Sequence, residues 1–142
     1  MLQSKIDPAP ENPHVVNRTL LSELGSKVQV KMHTLNDCGT KLIDIEELLE
    51  TVSFDHEDFD PRSFRLFEYQ SELTVTLYKQ AAELASMVRD IRAQLDRQPN
   101  LTIEADKCEM AVLQFALHCA EEDAQTWLEK LYETEAQVER DN

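Results

Sequence analysis

The chain has 142 residues, of which 42% are hydrophobic and 30% charged, the size and balance of one soluble helical domain. Its two glycines, Gly25 and Gly39, are too few for the turns of an all-β fold or for a phosphate-cradling loop. Its formal net charge of −14 argues against direct binding to DNA or RNA, which needs a basic face.

Residues 1–60 carry 12 acids and 5 bases, residues 61–100 carry 5 and 6, and residues 101–142 carry 11 and 3, so the two ends hold the acid. Cys38, Cys108 and Cys119 include no CxxC pair, which predicts three buried, reduced thiols and no zinc site. No charged start followed by an apolar run opens the chain, and no stretch of about 18 apolar residues occurs. Neither a signal peptide nor a membrane contact is therefore expected.

Residues 1–12 are polar and carry Pro8 and Pro10, which predicts a disordered tail before a single helical domain over 13–142. Asn12-Pro13 is a helix start, with Asn as cap and Pro at the first helical position. The first helix is predicted over Pro13–Val52. Within it Leu21, Leu24, Val28, Leu35, Cys38, Leu42, Ile45, Leu49 and Val52 fall on steps of three and four, the seam of a helix packed along another. Lys31 interrupts the seam and Met32 stands beside the gap. Gly25 and Gly39 each mark a candidate kink or break in the helix, and at Gly39 the alternative is the close approach of another backbone.

Ser53–Asp60 is the connector, and Asp60-Pro61 opens the second helix, predicted over Pro61–Arg97. The acids and His56 of that connector lack the alternating ligands, sixth-position glycine and twelfth-position glutamate of a calcium loop. Phe54 and Phe59 are expected to pin it to the bundle end. The second helix carries one stripe, Leu73, Leu77, Ala81, Leu84, Val88, Ile91 and Leu95. Gln98-Pro99-Asn100 ends it, and Thr102 caps a third helix predicted over Ile103–Glu139. Met110, Leu113, Leu117, Ala120, Ala124, Trp127, Leu131 and Val138 form its main stripe, while Cys108, Val112, Phe115 and Cys119 add a second face. His118 is expected to be a partly buried, hydrogen-bonded side chain. The fold expected is all-α: three long antiparallel helices in a coiled-coil-like up-down-up bundle. No catalytic constellation or cofactor motif is readable, so a non-enzymatic protein without a cofactor is expected.

Three pieces resemble one family. They are Leu35-Asn36-Asp37-Cys38-Gly39 with the apolar run after it, Glu68-Tyr69-Gln70-Ser71-Glu72-Leu73, and Leu131-Tyr132-x-x-Glu135 within Leu128–Arg140. In this order they resemble the cyclin-dependent kinase-interacting protein (CINP) family of small helical proteins. Met32 stands where that family commonly shows a tryptophan, and the family's longer C-terminal extension has no counterpart up to Asn142. The resemblance implies a nuclear adaptor, also found in the cytoplasm, that acts in DNA replication, the cell cycle and the DNA damage checkpoint. Its implied partners are cell-cycle kinases, a pair of AAA+ ATPases and a second small helical subunit, with a link to ribosome biogenesis. A scaffold subunit of another nuclear assembly, of transcription co-activator or kinetochore type, is the alternative.

The candidate partner-binding residues are Leu35, Asn36, Asp37, Gly39, Tyr69, Glu72, Val112, Phe115, Trp127, Tyr132 and Glu135. Tyr69 and Tyr132 join an apolar body to a hydroxyl, and Trp127 is the sole tryptophan and an anchor candidate, with core packing its competing role. Val112 and Phe115 are expected to remain outside the bundle axis, with Glu109, Glu121, Glu122 and Asp123 as an acidic rim.

Overall fold

The computed structural model describes the backbone of residues 13–52, 57, 59–98 and 107–141 and, within 19–133 of these, the side chains. Helix α1 is Pro13–Thr51, a 3-10 turn is Pro61–Ser63, α2 is Phe64–Arg97 and α3 is Lys107–Asp141. The predicted starts at Asn12 and Thr102, the pinning role of Phe54 and the stripe residue Val138 lie outside the described residues or side chains. Where the second helix opens, the structure is tighter than predicted. Asp60 accepts a hydrogen bond from the Arg62 backbone N–H at 2.9 Å, and Pro61 sits in the first position of a 3-10 turn before α2 begins. Phe59 meets Phe64 edge to face, with centroids 5.2 Å apart.

The three helices pack pairwise around one core. Hydrophobic stripes at helical spacing explain which side chains enter it. From α1 come Leu21, Leu24, Val28, Leu35, Cys38, Leu42 and Ile45. From α2 come Leu73, Leu77, Ala81, Leu84, Val88, Ile91 and Leu95, the predicted stripe residue for residue. From α3 come Leu113, Leu117, Ala120 and Ala124, joined by Ala116 from beside the predicted stripe. Burying each leucine contributes about 1.5–3 kcal/mol, so this ladder is the main support of the fold.

Cross-helix contacts give the directions. Lys31 pairs with Glu83, and the Cys38 thiol lies 3.7 Å from the Leu73 carbonyl oxygen, so α1 and α2 run antiparallel. Asn36 reaches Asp123 and Gly39 reaches Trp127, so α1 and α3 run parallel, and the order is up-down-up. Helix α1 continues through both glycines. The gap at Lys31 is closed from two sides: Met32 packs against the core, and the half-buried Lys31 ammonium is neutralised by Glu83.

Two expectations require correction. Only Cys38 is buried; Cys119 is partly covered and Cys108 is exposed. A three-helix bundle covers one stripe per helix, and these two cysteines lie about a third of a turn away from the Leu113–Leu117 stripe. His118 is also exposed, and its Nε2 lies 3.5 Å from Glu122, the carboxylate one turn on.

Candidate docking faces

The Leu-Asn-Asp-x-Gly segment is used inside the bundle. Leu35 is fully buried. Asn36 stands between two α3 side chains: its Nδ2 donates to Asp123 Oδ2 at 2.9 Å, and its Oδ1 accepts from Trp127 Nε1 at 3.0 Å. One amide thus satisfies an indole N–H and a carboxylate at a partly buried seam, where either alone would be costly to leave unpaired. Gly39 is covered by the Trp127 ring. The close approach expected there is therefore made by a side chain, and the sole tryptophan packs on α1, with the Lys130 ammonium 5.3 Å from its ring. Asp37 faces outward and pairs with Lys41 at 3.2 Å; that hydrogen bond, ahead of the charge itself, raises the Lys41 pKa above its ordinary value.

On α3 the expected outer face is present. Phe115 is 70% exposed and Val112 is 52% exposed. Beside them a groove of about 370 Å³ runs between Gln29 and Met32 of α1 and Val112, Phe115, Ala116 and Cys119 of α3. The carboxylates expected as its acidic rim are engaged within the chain. Glu121 pairs with Arg92, Glu122 lies against His118 and Asp123 accepts from Asn36. Tyr132 is exposed further along α3, and the side chain of Glu135 lies outside those described.

On α2, Tyr69 and Glu72 are exposed, and Tyr69 is close enough to Lys41 to act on its charge. A second face on α2 is absent from the sequence expectations. Phe64, Phe67, Val75 and Tyr78 are all exposed, Val75 at 69%. Phe64 and Val75, like Phe67 and Tyr78, are eleven residues apart, three full turns, so the four share one side of the helix. That spacing is the signal in the sequence; the strong core stripe on the same helix hides it.

Between α1 and α2 lies a second groove, of about 490 Å³, floored by Val30, Lys31, Gln80 and Met87. Gln80 Oε1 is buried there with no hydrogen-bond partner. Among the described residues no three His, Cys, Asp or Glu side chains converge as a metal site requires, and no helix is long and apolar enough to cross a membrane. The residues brought together are thus apolar and aromatic on two outer faces, with the Asn36–Asp123–Trp127 polar cluster spent on joining α1 to α3.

Comparison of the chain with protein-family models, curated proteins and solved structures returned no match.

Proposed function

We propose that this protein is a non-enzymatic helical adaptor, a subunit that joins other proteins in a nuclear assembly of DNA replication and genome maintenance. The observation that carries the reading is the apolar surface left over once the core is closed, above all the Phe64, Phe67, Val75 and Tyr78 face of α2. Exposed apolar side chains sharing one helix side, rich in aromatic residues, are what partner docking uses. The partner class comes from the resemblance of the three motifs to the CINP family: a pair of AAA+ ATPases with a second small helical subunit, or cell-cycle kinases, with ribosome biogenesis as a linked role. Exposed Tyr69, Glu72 and Tyr132 extend the surface offered, while Leu35, Asn36, Gly39 and Trp127 serve it by fixing how α1 and α3 sit.

The test is purification of the tagged chain from cells beside the variants Val75→Asp and Tyr78→Asp. The wild-type chain is expected to bring down the ATPase pair or replication factors, and the variants to lose them while staying helical. Recovery of neither group with the wild-type chain overturns the assignment. Recovery of a transcription co-activator or kinetochore complex instead moves the adaptor to that assembly.

A further inference from the structure

The outer face of α3 carries a stripe whose spacing is symmetric about its centre. Cys108, Val112, Phe115 and Cys119 follow at steps of four, three and four, one stripe of a helix. Measured from the midpoint between Leu113 and Gln114, Val112 and Phe115 are equidistant, and so are Cys108 and Cys119. An isologous two-fold interface needs one patch that matches its own rotated copy. Two α3 helices laid antiparallel about this midpoint set Phe115 on Val112 of the second copy and Cys108 on its Cys119. That is the a-against-d pairing of an antiparallel coiled coil.

Charge selects the same occupant. Met110–Ala120 is the longest stretch of the chain without Asp, Glu, Lys or Arg, eleven residues in a protein of net charge −14. Across the acidic remainder of the first and last thirds two copies repel one another; within this stretch they meet without opposed carboxylates. A basic partner would find no acid to pair with inside this stretch, and Glu121, Glu122 and Asp123 beyond it are already engaged by Arg92, His118 and Asn36.

We infer that a second copy of this chain docks on the α3 outer face, antiparallel and centred between Leu113 and Gln114, with its Phe115 seated in the groove beside Met32. This goes beyond the adaptor reading, which uses the α2 face. The stripe is only about 16 Å long, short for an interface of standard size. The dimer is therefore weak and concentration-dependent, and added salt strengthens it by screening the repulsion between two acidic chains.

The experiment uses the full chain at high concentration and moderate salt, treated with diamide, which takes two electrons and two protons from two thiols as their disulfide forms. Cys108 and Cys119 of one chain are eleven helical residues apart, about 16 Å, beyond the reach of a disulfide, so a bond between them joins two chains. A covalent dimer is expected, with Cys108 linked to Cys119 in the peptide map. Cys108→Ser and Cys119→Ser should each abolish it, mixing the two variants should restore a singly linked dimer, and Cys38→Ser should change nothing. Phe115→Asp should lower the yield at least tenfold with unchanged helicity, yet keep any partner bound through α2. Bonds joining Cys108 to Cys108 or Cys119 to Cys119, no dimer after mixing the serine variants, or a dimer that weakens with salt each overturn the inference. A Tyr78→Asp chain that crosslinks normally but loses its partner separates this interface from the adaptor face.

Discussion

A Cβ placed on Gly39 would lie 2.2 Å from Cζ2 of Trp127 and 2.5 Å from its Cη2, so the indole fills the space that any other residue would claim on α1. The same edge of the indole is held at Nε1 by Asn36, one turn earlier. It cannot swing aside without losing that bond. Glycine in a helix interior costs about 1 kcal/mol against alanine, and here the cost is offset by bringing the largest side chain of α3 against the α1 backbone.

The two glycines should therefore respond oppositely to alanine. Gly39→Ala gains helix propensity but must displace the ring, and overpacking of this kind costs roughly 1–3 kcal/mol. A Cβ on Gly25 would meet nothing within 4 Å, so Gly25→Ala should stabilise by up to about 1 kcal/mol. Urea unfolding midpoints read both; a Gly39→Ala chain as stable as the wild type would mean that the ring is not held.

The Asn36–Trp127 hydrogen bond predicts energetic coupling. Asn36→Ala orphans an indole N–H at a partly buried seam and should cost about 1–3 kcal/mol. Trp127→Phe removes the donor and loses packing. A double-mutant cycle should give a coupling of about 0.5–3 kcal/mol; simple additivity would show that the bond contributes nothing. Trp127 is the sole tryptophan, so its fluorescence should shift in Asn36→Ala as the ring gains water.

The core is legible in the sequence because it depends on period alone. The α2 stripe can be read residue for residue, and the α1 seam can be followed across Lys31. The Asn36–Asp123–Trp127 cluster is not legible, since it joins positions 87 and 91 residues apart through a register that only the packed bundle sets. Gly39 is ambiguous for the same reason: a glycine signals room for a neighbour without naming it. Cys108 and Cys119 mislead because cysteine usually behaves as a small buried hydrophobe, while here both fall outside the stripe that the bundle covers.

Thiol reactivity should follow that division. Burial, above all, pushes the Cys38 thiol above its ordinary pKa; Lys41 lowers it and Asp37 raises it by smaller amounts. The thiolate is the reacting form, so Cys38 is doubly protected. Maleimide at neutral pH should modify Cys108 and Cys119 and spare Cys38 until denaturant is added. Equal labelling of all three in the native chain would contradict the packing of Cys38 against Leu73.

Acid should weaken the bundle through two named carboxylates. The Lys31 ammonium, first by its hydrogen bond, holds Glu83 below the ordinary glutamate value of 4.5. Arg62, by its guanidinium and then its backbone N–H, holds Asp60 below the ordinary aspartate value of 3.8. A carboxylate whose pKa is lower folded than unfolded stabilises the fold above its unfolded pKa, and that contribution disappears as pH falls through the folded value. Stability should thus be level near neutrality and begin to fall near pH 4.5, first through Glu83 and then, from about pH 3.8, through Asp60. Glu83→Gln should flatten the upper part of that fall and Asp60→Asn the lower part. Lys31→Met should flatten the same upper part as Glu83→Gln, because it removes what depresses Glu83, and it also places an apolar side chain at the interrupted seam position. Thermal midpoints measured from pH 7 to pH 3 provide the comparison. If Lys31→Met and Glu83→Gln alter different pH ranges, the two side chains do not act as a pair.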